Sequence, residues 1–305
     1  MPIGTGQTVA GFCNDSAGGG LSGLQSPYGI YVSPTTGILY VIDYDLGRIL
    51  SYTLFARVGF VTYTDAPFQL MDIFVDSSNT SYITDRLAND GSLYIRQGNI
   101  QRSIPIVGPS VACGLTGLYN AYGVAVDRYG NVYVSMNQCF IVVKWAPNAT
   151  IGVLVAGQPG VSGATSNRLN RVRFLHLDDL HGVLYVCDAT NNRIQKFIIG
   201  GNGTAMTVAG TGTAGIGLNQ LNSPAGIWVT RDGQTLYVAD YGNHRVMKWT
   251  IGAGQGSLFA GSLSGLSGNT NQLFNGPGDI ALDPTETYLY VSDYYNHRVQ
   301  RFRVR

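Results

Sequence analysis

Asp240, Asn243, His244 and Arg245 lie within one turn of LYVADYGNHRVMKW, residues 236–249. A carboxylate, an imidazole and a guanidinium so close together are the residue types of general acid–base catalysis, metal ligation and anion capture. The set returns as Asp293, Asn296, His297 and Arg298 in LYVSDYYNHRVQRF. A constellation that recurs along a chain belongs to the repeat before it belongs to a reaction.

Related segments run through the whole chain and begin at Leu39, Ser81, Val132, Leu184, Leu236 and Leu289, spaced 42, 51, 52, 52 and 53 residues apart. Such a period marks a repeat architecture whose unit cannot bury its own faces alone. The best-marked unit holds PAGIWVT from Pro224, TLYVAD from Thr235, HRVMKW from His244 and SLFAG from Ser257. Each piece is short, β-branched or aromatic, and bounded by Gly, Asn or Asp, so each predicts a strand. Four strands per unit and six units predict an all-β, six-bladed β-propeller of four-stranded antiparallel blades, with strand a innermost and strand d outermost. The last copy stops after strand c, while QTVAG near the N-terminus matches the fourth strand TVAG at Thr207. The N-terminal strand is therefore expected to complete the last blade, closing residues 1–305 into a single domain without a free edge.

The composition suits this fold and narrows the partners. Of 305 residues 45% are apolar and 41 are Gly, with a net charge of +1. That balance supplies a core and many turns but no global field for nucleic acid or an anionic membrane. No apolar run approaches the roughly 18 residues needed to span a bilayer, and the first residues lack the pattern of a secretory signal. Membrane insertion is not expected. Sequons at Asn14, Asn79, Asn148 and Asn202 are about as many as chance supplies. An extracellular segment of a larger protein is favoured over a cytoplasmic one.

The pattern P-x-G-I-x-V, L-Y-V-x-D, x-x-N-x-R-[IV], T-V-A-G resembles the NHL repeat; it is close in copies four to six and degenerate in copies two and three. The resemblance implies a six-bladed propeller whose relatives include protein- and RNA-binding domains, sensor domains and an amidating lyase. Fold alone does not choose among these. The lyase relatives gather several histidines around zinc together with a tyrosine and an arginine, whereas no three histidines of this chain can meet in one channel.

Comparing copies assigns the Asp and Arg a structural task. The pairs Asp43 and Arg48, Asp188 and Arg193, Asp240 and Arg245, and Asp293 and Arg298 keep both charges, and copy three replaces both with Met136 and Ile141. Joint loss is what a buried ion pair permits, because losing one partner strands the other. These eight residues are predicted to clasp strand b to strand c, with the Asn two residues before Arg supplying the left-handed turn position. His244 and His297 then ride on the turn in a solvated or turn-stabilising role, and His176 is expected at an interblade packing position with one hydrogen-bond partner. No GxSxG, HExxH or phosphate-loop motif is present, and no Cys has a partnering His.

Candidate ligand residues come from the predicted mouth of the central channel. Tyr28, Asp72, Tyr122, Arg173 and Asp279 fall on two rings of inner-strand positions, able to hold a divalent cation or a small polar ligand, or else to neutralise one another. The loop NRLNRVR adds Arg168 and Arg171 beside Arg173, a local site for RNA phosphates or an acidic peptide, although Lys144, Lys196 and Lys248 are dispersed around the perimeter. Tyr241, Tyr294 and Tyr295 are predicted as exposed aromatic contacts on the same face. Cys113 and Cys139 are placed to form a disulfide at the turn that lost its clasp, with Cys13 and Cys187 free.

The leading expectation is a non-catalytic scaffold presenting loops for protein or glycan recognition, with no resident cofactor or metal. A channel lyase or hydrolase using a bound divalent cation is the alternative. RNA binding through the arginine loop is the second alternative, nucleic acid being the less favoured partner.

Overall fold

The computed structural model describes residues 4–12, 17–53, 56, 58–64, 69–86, 93–97, 100–104 and 113–304. Cys13 and the sequon at Asn14 lie outside them. The strands form six four-stranded antiparallel sheets, five of them ordered from inner to outer strand as the chain runs and the sixth taking its outer strand from the N-terminus. The inner strands are Pro27–Val32, Leu70–Val75, Ala121–Val126, Val172–Asp178, Ile227–Val229 and Pro277–Leu282, and they pack against one another in that cyclic order. Gln7–Gly11 pairs with Arg298–Arg303 and completes the sixth blade.

The second strands LYVID, VYVSM, VLYVCD, TLYVAD and YLYVSD are almost wholly buried because both faces of a blade pack on neighbouring blades. Outer strands such as Val153–Gly157 expose their first residues. The inner strand of the fifth blade is shorter than its sequence suggests, Ile227–Val229 instead of a run from Pro224. Ala225 and Gly226 still exchange backbone hydrogen bonds with Ala239.

In the other five blades the pairing of the first two strands slips by a bulge near the start of the inner strand. A bulge leaves a backbone N–H without its ladder partner. In three blades a hydroxyl from the second strand takes it: Thr84 accepts from Asp72 N at 3.1 Å, Ser135 from Gly123 N at 2.7 Å and Ser292 from Asp279 N at 2.7 Å. Each hydroxyl then donates to a carbonyl of the next inner strand, at Tyr122, Arg173 and Tyr28 respectively. Gly29 permits the same close approach, since a β-carbon there would collide with the carbonyl oxygen of Met71 on the neighbouring blade. Among the described residues no helix is long and apolar enough to cross a membrane.

Candidate functional site

The four Asp–Arg pairs are buried contacts of 2.7–2.8 Å between Arg Nε and one carboxylate oxygen. They do more than join strands b and c. Asp240 accepts the Asn222 N–H at 2.7 Å, and Arg245 donates to the carbonyls of Ile216, Gly217 and Gln220, all on the loop entering the blade. Asn243 donates to Asp240 and to the Gly215 carbonyl. The clasp is thus an anchor for the loop that delivers each inner strand to the axis. Burial pushes Asp43 and Asp293 up to about 6, while their arginines and amide donors pull the other way.

Two expectations about this turn are corrected. The left-handed residue is the one directly before Arg: His244, His297 and Asn192 have φ of 52°, 53° and 50°. The Asn before it contributes its side-chain amide instead. The histidines also do not merely ride on the turn. His244 Nδ1 accepts the Gly276 N–H at 3.0 Å and His297 Nδ1 accepts the Ser26 N–H at 3.2 Å, each on the following blade. Asn192 Oδ1 makes the equivalent bond to Ser223 N at 2.9 Å. Burial lowers the His244 pKa, which keeps the accepting nitrogen free of a proton.

Above the anchored loops lies a cavity of about 190 Å³ lined by Tyr28, Tyr44, Tyr122, Tyr241, Tyr294, Tyr295, Met71, Arg86 and Arg173. Tyr28 and Tyr122, predicted for the channel, and Tyr241, Tyr294 and Tyr295, predicted as surface contacts, therefore meet in one place. Tyr241 and Tyr294 are half-buried, and Tyr295 is 51% exposed. Tyr241 donates to the Tyr295 hydroxyl at 3.1 Å, and Tyr294 stands edge-on to Tyr295 and to Tyr28. The Arg173 guanidinium lies 4.9 Å from the centroid of Tyr241 and that of Arg86 lies 5.9 Å from Tyr122. Burial raises the pKa of Tyr28, Tyr44, Tyr241 and Tyr294, so these phenols stay protonated. Among the described residues no carboxylate lines this mouth.

The predicted rings do not form one site. Phe174 is 2% exposed and packs on Tyr28 with 5.2 Å between ring centroids, and with Met71 and Ala225 it closes the channel beneath the mouth. Asp72 and Asp279 lie on the far side of that plug, in an axial chamber of about 170 Å³. Arg173 therefore does not neutralise them; it donates to the Ser223 carbonyl at 3.2 Å. Each carboxylate holds a neighbouring blade instead, Asp72 through Val124 N at 2.9 Å and Asp279 through Ile30 N at 3.0 Å. Burial pushes Asp279 up to about 7; burial and then the charge of Asp279 push Asp72 well above the carboxylate range.

His176 does pack between blades, against Trp228 of the next one, but without the expected hydrogen-bond partner. It lines the chamber, stacks 4.8 Å from the centroid of Trp228, makes no protein hydrogen bond among the described residues, and is pushed down to about 4 by burial. The chamber shares Tyr31, His176, Leu177 and Trp228 with a vestibule of about 210 Å³ on the face opposite the tyrosines. Among the described residues no three His, Cys, Asp or Glu side chains are grouped as metal ligands.

The arginine loop is split. Arg168 turns to Gln158 at 3.3 Å, Arg171 is exposed with φ of 50°, and Arg173 points into the mouth. Cys113 and Cys139 are joined by a disulfide with 5.1 Å between Cα atoms, and Cys187 is a buried thiol. The disulfide ties the third blade's turn to its entering loop, the connection that arginine makes in the clasped blades.

Comparison with known proteins agrees with this architecture. Residues 172–305 match the family model described as lactonase, 7-bladed beta-propeller, although this chain has six blades. NHL repeat-containing protein 2 of Bos taurus is 29% identical over a 135-residue alignment that covers 38% of this chain and 18% of that protein. A structural genomics protein of unknown function from Bacteroides thetaiotaomicron superposes with a TM-score of 0.74 at 17% identity, covering 98% of this chain and 75% of that one. An auxiliary nutrient binding protein from the same organism gives 0.70 at 14% identity, covering 92% and 69%. A streptogramin B lyase gives 0.58 at 16% identity, covering 91% and 93%. Likeness at such identity establishes the fold alone.

Proposed function

We propose that this NHL-type six-bladed propeller is a non-catalytic recognition scaffold, capturing an acidic protein segment or glycan at its tyrosine-lined mouth. Support comes from one observation: six phenols and two guanidiniums converge on a cavity that no carboxylate of the described residues lines. Tyrosine offers apolar area with a hydroxyl at low entropic cost, and arginine over an aromatic face stays oriented for an anion. The anchored loops hold these side chains in place without a ligand, which lowers the cost of binding. The Cys113–Cys139 bond favours an oxidising, extracellular setting. A propeller of similar architecture is described as nutrient binding in Bacteroides thetaiotaomicron.

The test probes the purified domain against a glycan array and a library of acidic peptides. Any ligand found should be lost with Arg173→Met and weakened by about tenfold or more with Tyr295→Ala. Binding indifferent to both substitutions counts against the mouth. Affinity for RNA that falls steeply with salt and depends on Arg168 and Arg171 replaces this reading with the nucleic-acid one.

A further inference from the structure

We infer that the axial chamber beneath the plug is a second binding site, for a small organic ammonium ion that enters through the opposite face. It does not rest on recognition at the mouth, because the two cavities share no lining residue.

The chamber's volume of about 170 Å³ is larger than a few waters require, and it is walled mainly by apolar side chains with a few convergent polar groups. Asp72 and Asp279 are 6% and 5% exposed. Asp72 accepts the N–H groups of Ile73 and Val124, and Asp279 accepts those of Ile30 and Ile280. A carboxylate has about four lone-pair sites, so each keeps acceptor capacity beyond these bonds. Among the described residues no lysine or arginine lines the chamber. Tyr31, Phe74 and Trp228 supply aromatic faces, with Tyr31 5.0 Å from Phe74 and 6.3 Å from Trp228 between centroids.

Carboxylates with aromatic faces suit an ammonium group, attracted by both charge and ring quadrupole. A hard metal ion would want six or more oxygens, and the aromatic walls offer it none. The route in agrees. Among the described residues the vestibule carries Asp178, Asp179, Asp283 and Glu286 against Arg231 and against Arg128, which pairs with Asp179 at 2.8 Å, so carboxylates outnumber guanidiniums there, whereas the mouth at the other end carries Arg86 and Arg173. An acidic entrance concentrates cations and repels anions. His176, held neutral by its burial, adds no opposing charge.

Occupancy also has a proton consequence. Burial and mutual repulsion favour the protonated carboxyls in the unliganded chamber, and an ammonium ion reverses that preference, so binding near pH 7 releases protons.

Isothermal titration calorimetry of the whole chain with tetramethylammonium and methylammonium chlorides, in phosphate and in the bulky sulfonate buffer MOPS at pH 7, tests the site. Saturable one-site binding of at least one ion is expected, with heats that differ between buffers by the protons released. Asp279→Asn, Asp72→Asn and Trp228→Leu should each weaken it by about tenfold or more, and Tyr295→Ala should leave it unchanged. Circular dichroism and urea midpoints establish that each variant is folded. Should a variant fail to fold, buffer-dependent heat in the wild type and competition between the two ammonium ions decide. Absence of saturation, binding of calcium chloride in place of both ammonium ions, or affinity unmoved by all three chamber substitutions overturns the inference.

Discussion

Phe174 lies against Tyr28 with 5.2 Å between ring centroids, and this contact divides the axis into a basic aromatic mouth and a chamber that opens the other way. Phe174→Ala should lower stability by about 3–5 kcal/mol, from lost burial and the cavity left behind, whereas Phe174→Leu should cost about 1 kcal/mol. Urea midpoints at constant m-value measure both. Equal effects would mean that the ring is not packed as a plug.

The loop anchor predicts an asymmetry between single and paired substitutions. Arg245→Met leaves Asp240 buried without its cation and three loop carbonyls without their donor, and should cost about 3–5 kcal/mol. Combining Asp240→Met with Arg245→Ile copies the third blade's Met136 and Ile141 and should cost less than the single change. Urea unfolding of the two variants decides.

In the third blade the covalent link carries the anchor. Cys113 and Cys139 are separated by 26 residues, and removing the bond by Cys113→Ser with Cys139→Ser should cost about 2–4 kcal/mol. Thermal unfolding of wild type with and without reductant should show the same loss, and the double variant should not respond to reductant.

Asp279 gives the fold a pH dependence with a definite sign. Its folded-state pKa is raised to about 7, so its contribution is fully present below pH ~4 and is lost as pH rises through 7. Asp279→Asn keeps an oxygen to accept the Ile30 N–H and does not titrate. Relative to this variant, wild type should lose on the order of 3 kcal/mol between pH 4 and pH 8. Chemical denaturation across that range measures the gap; a gap that widens toward acid would reverse the assignment.

His244 behaves oppositely. Its pKa is lowered on folding, so stability is lost as pH falls below the usual histidine value of about 6.5. His244→Asn borrows the solution seen at Asn192, should retain the bond to Gly276 N, and should remove that part of the acid loss. His244→Val should be less stable at every pH, as read by thermal unfolding.

Six copies spaced 42 to 53 residues apart were enough to place the blades around the ring, and QTVAG was enough to close it. Replacement of Asp and Arg together at Met136 and Ile141 also revealed a buried pair. Depth along the axis was hidden. Residues Asp72, Phe174 and Asp279 share one repeat position, and whether that position opens to the mouth or to the chamber depends on the large rings at Tyr28 and Phe174, which repeat comparison treats as equivalents of Gly and Ala. Tyr44 and Arg86 were missed as mouth residues because the first sits beside a clasp and the second falls in the degenerate second copy. A small hydroxyl at an otherwise apolar strand position, Thr84, Ser135 and Ser292, was a visible signal for the interblade bridges.

The seam of the ring responds to force differently from the rest. Gln7 pairs with Arg301 and Gly11 with Arg298, so the chain leaves both strands at the same end of the pair. Tension transmitted through the flanking chain would part these hydrogen bonds one after another, as a zip opens, and would not load them together in shear. Strand pairing that removes the last free edge at rest is therefore the first to yield under a pull.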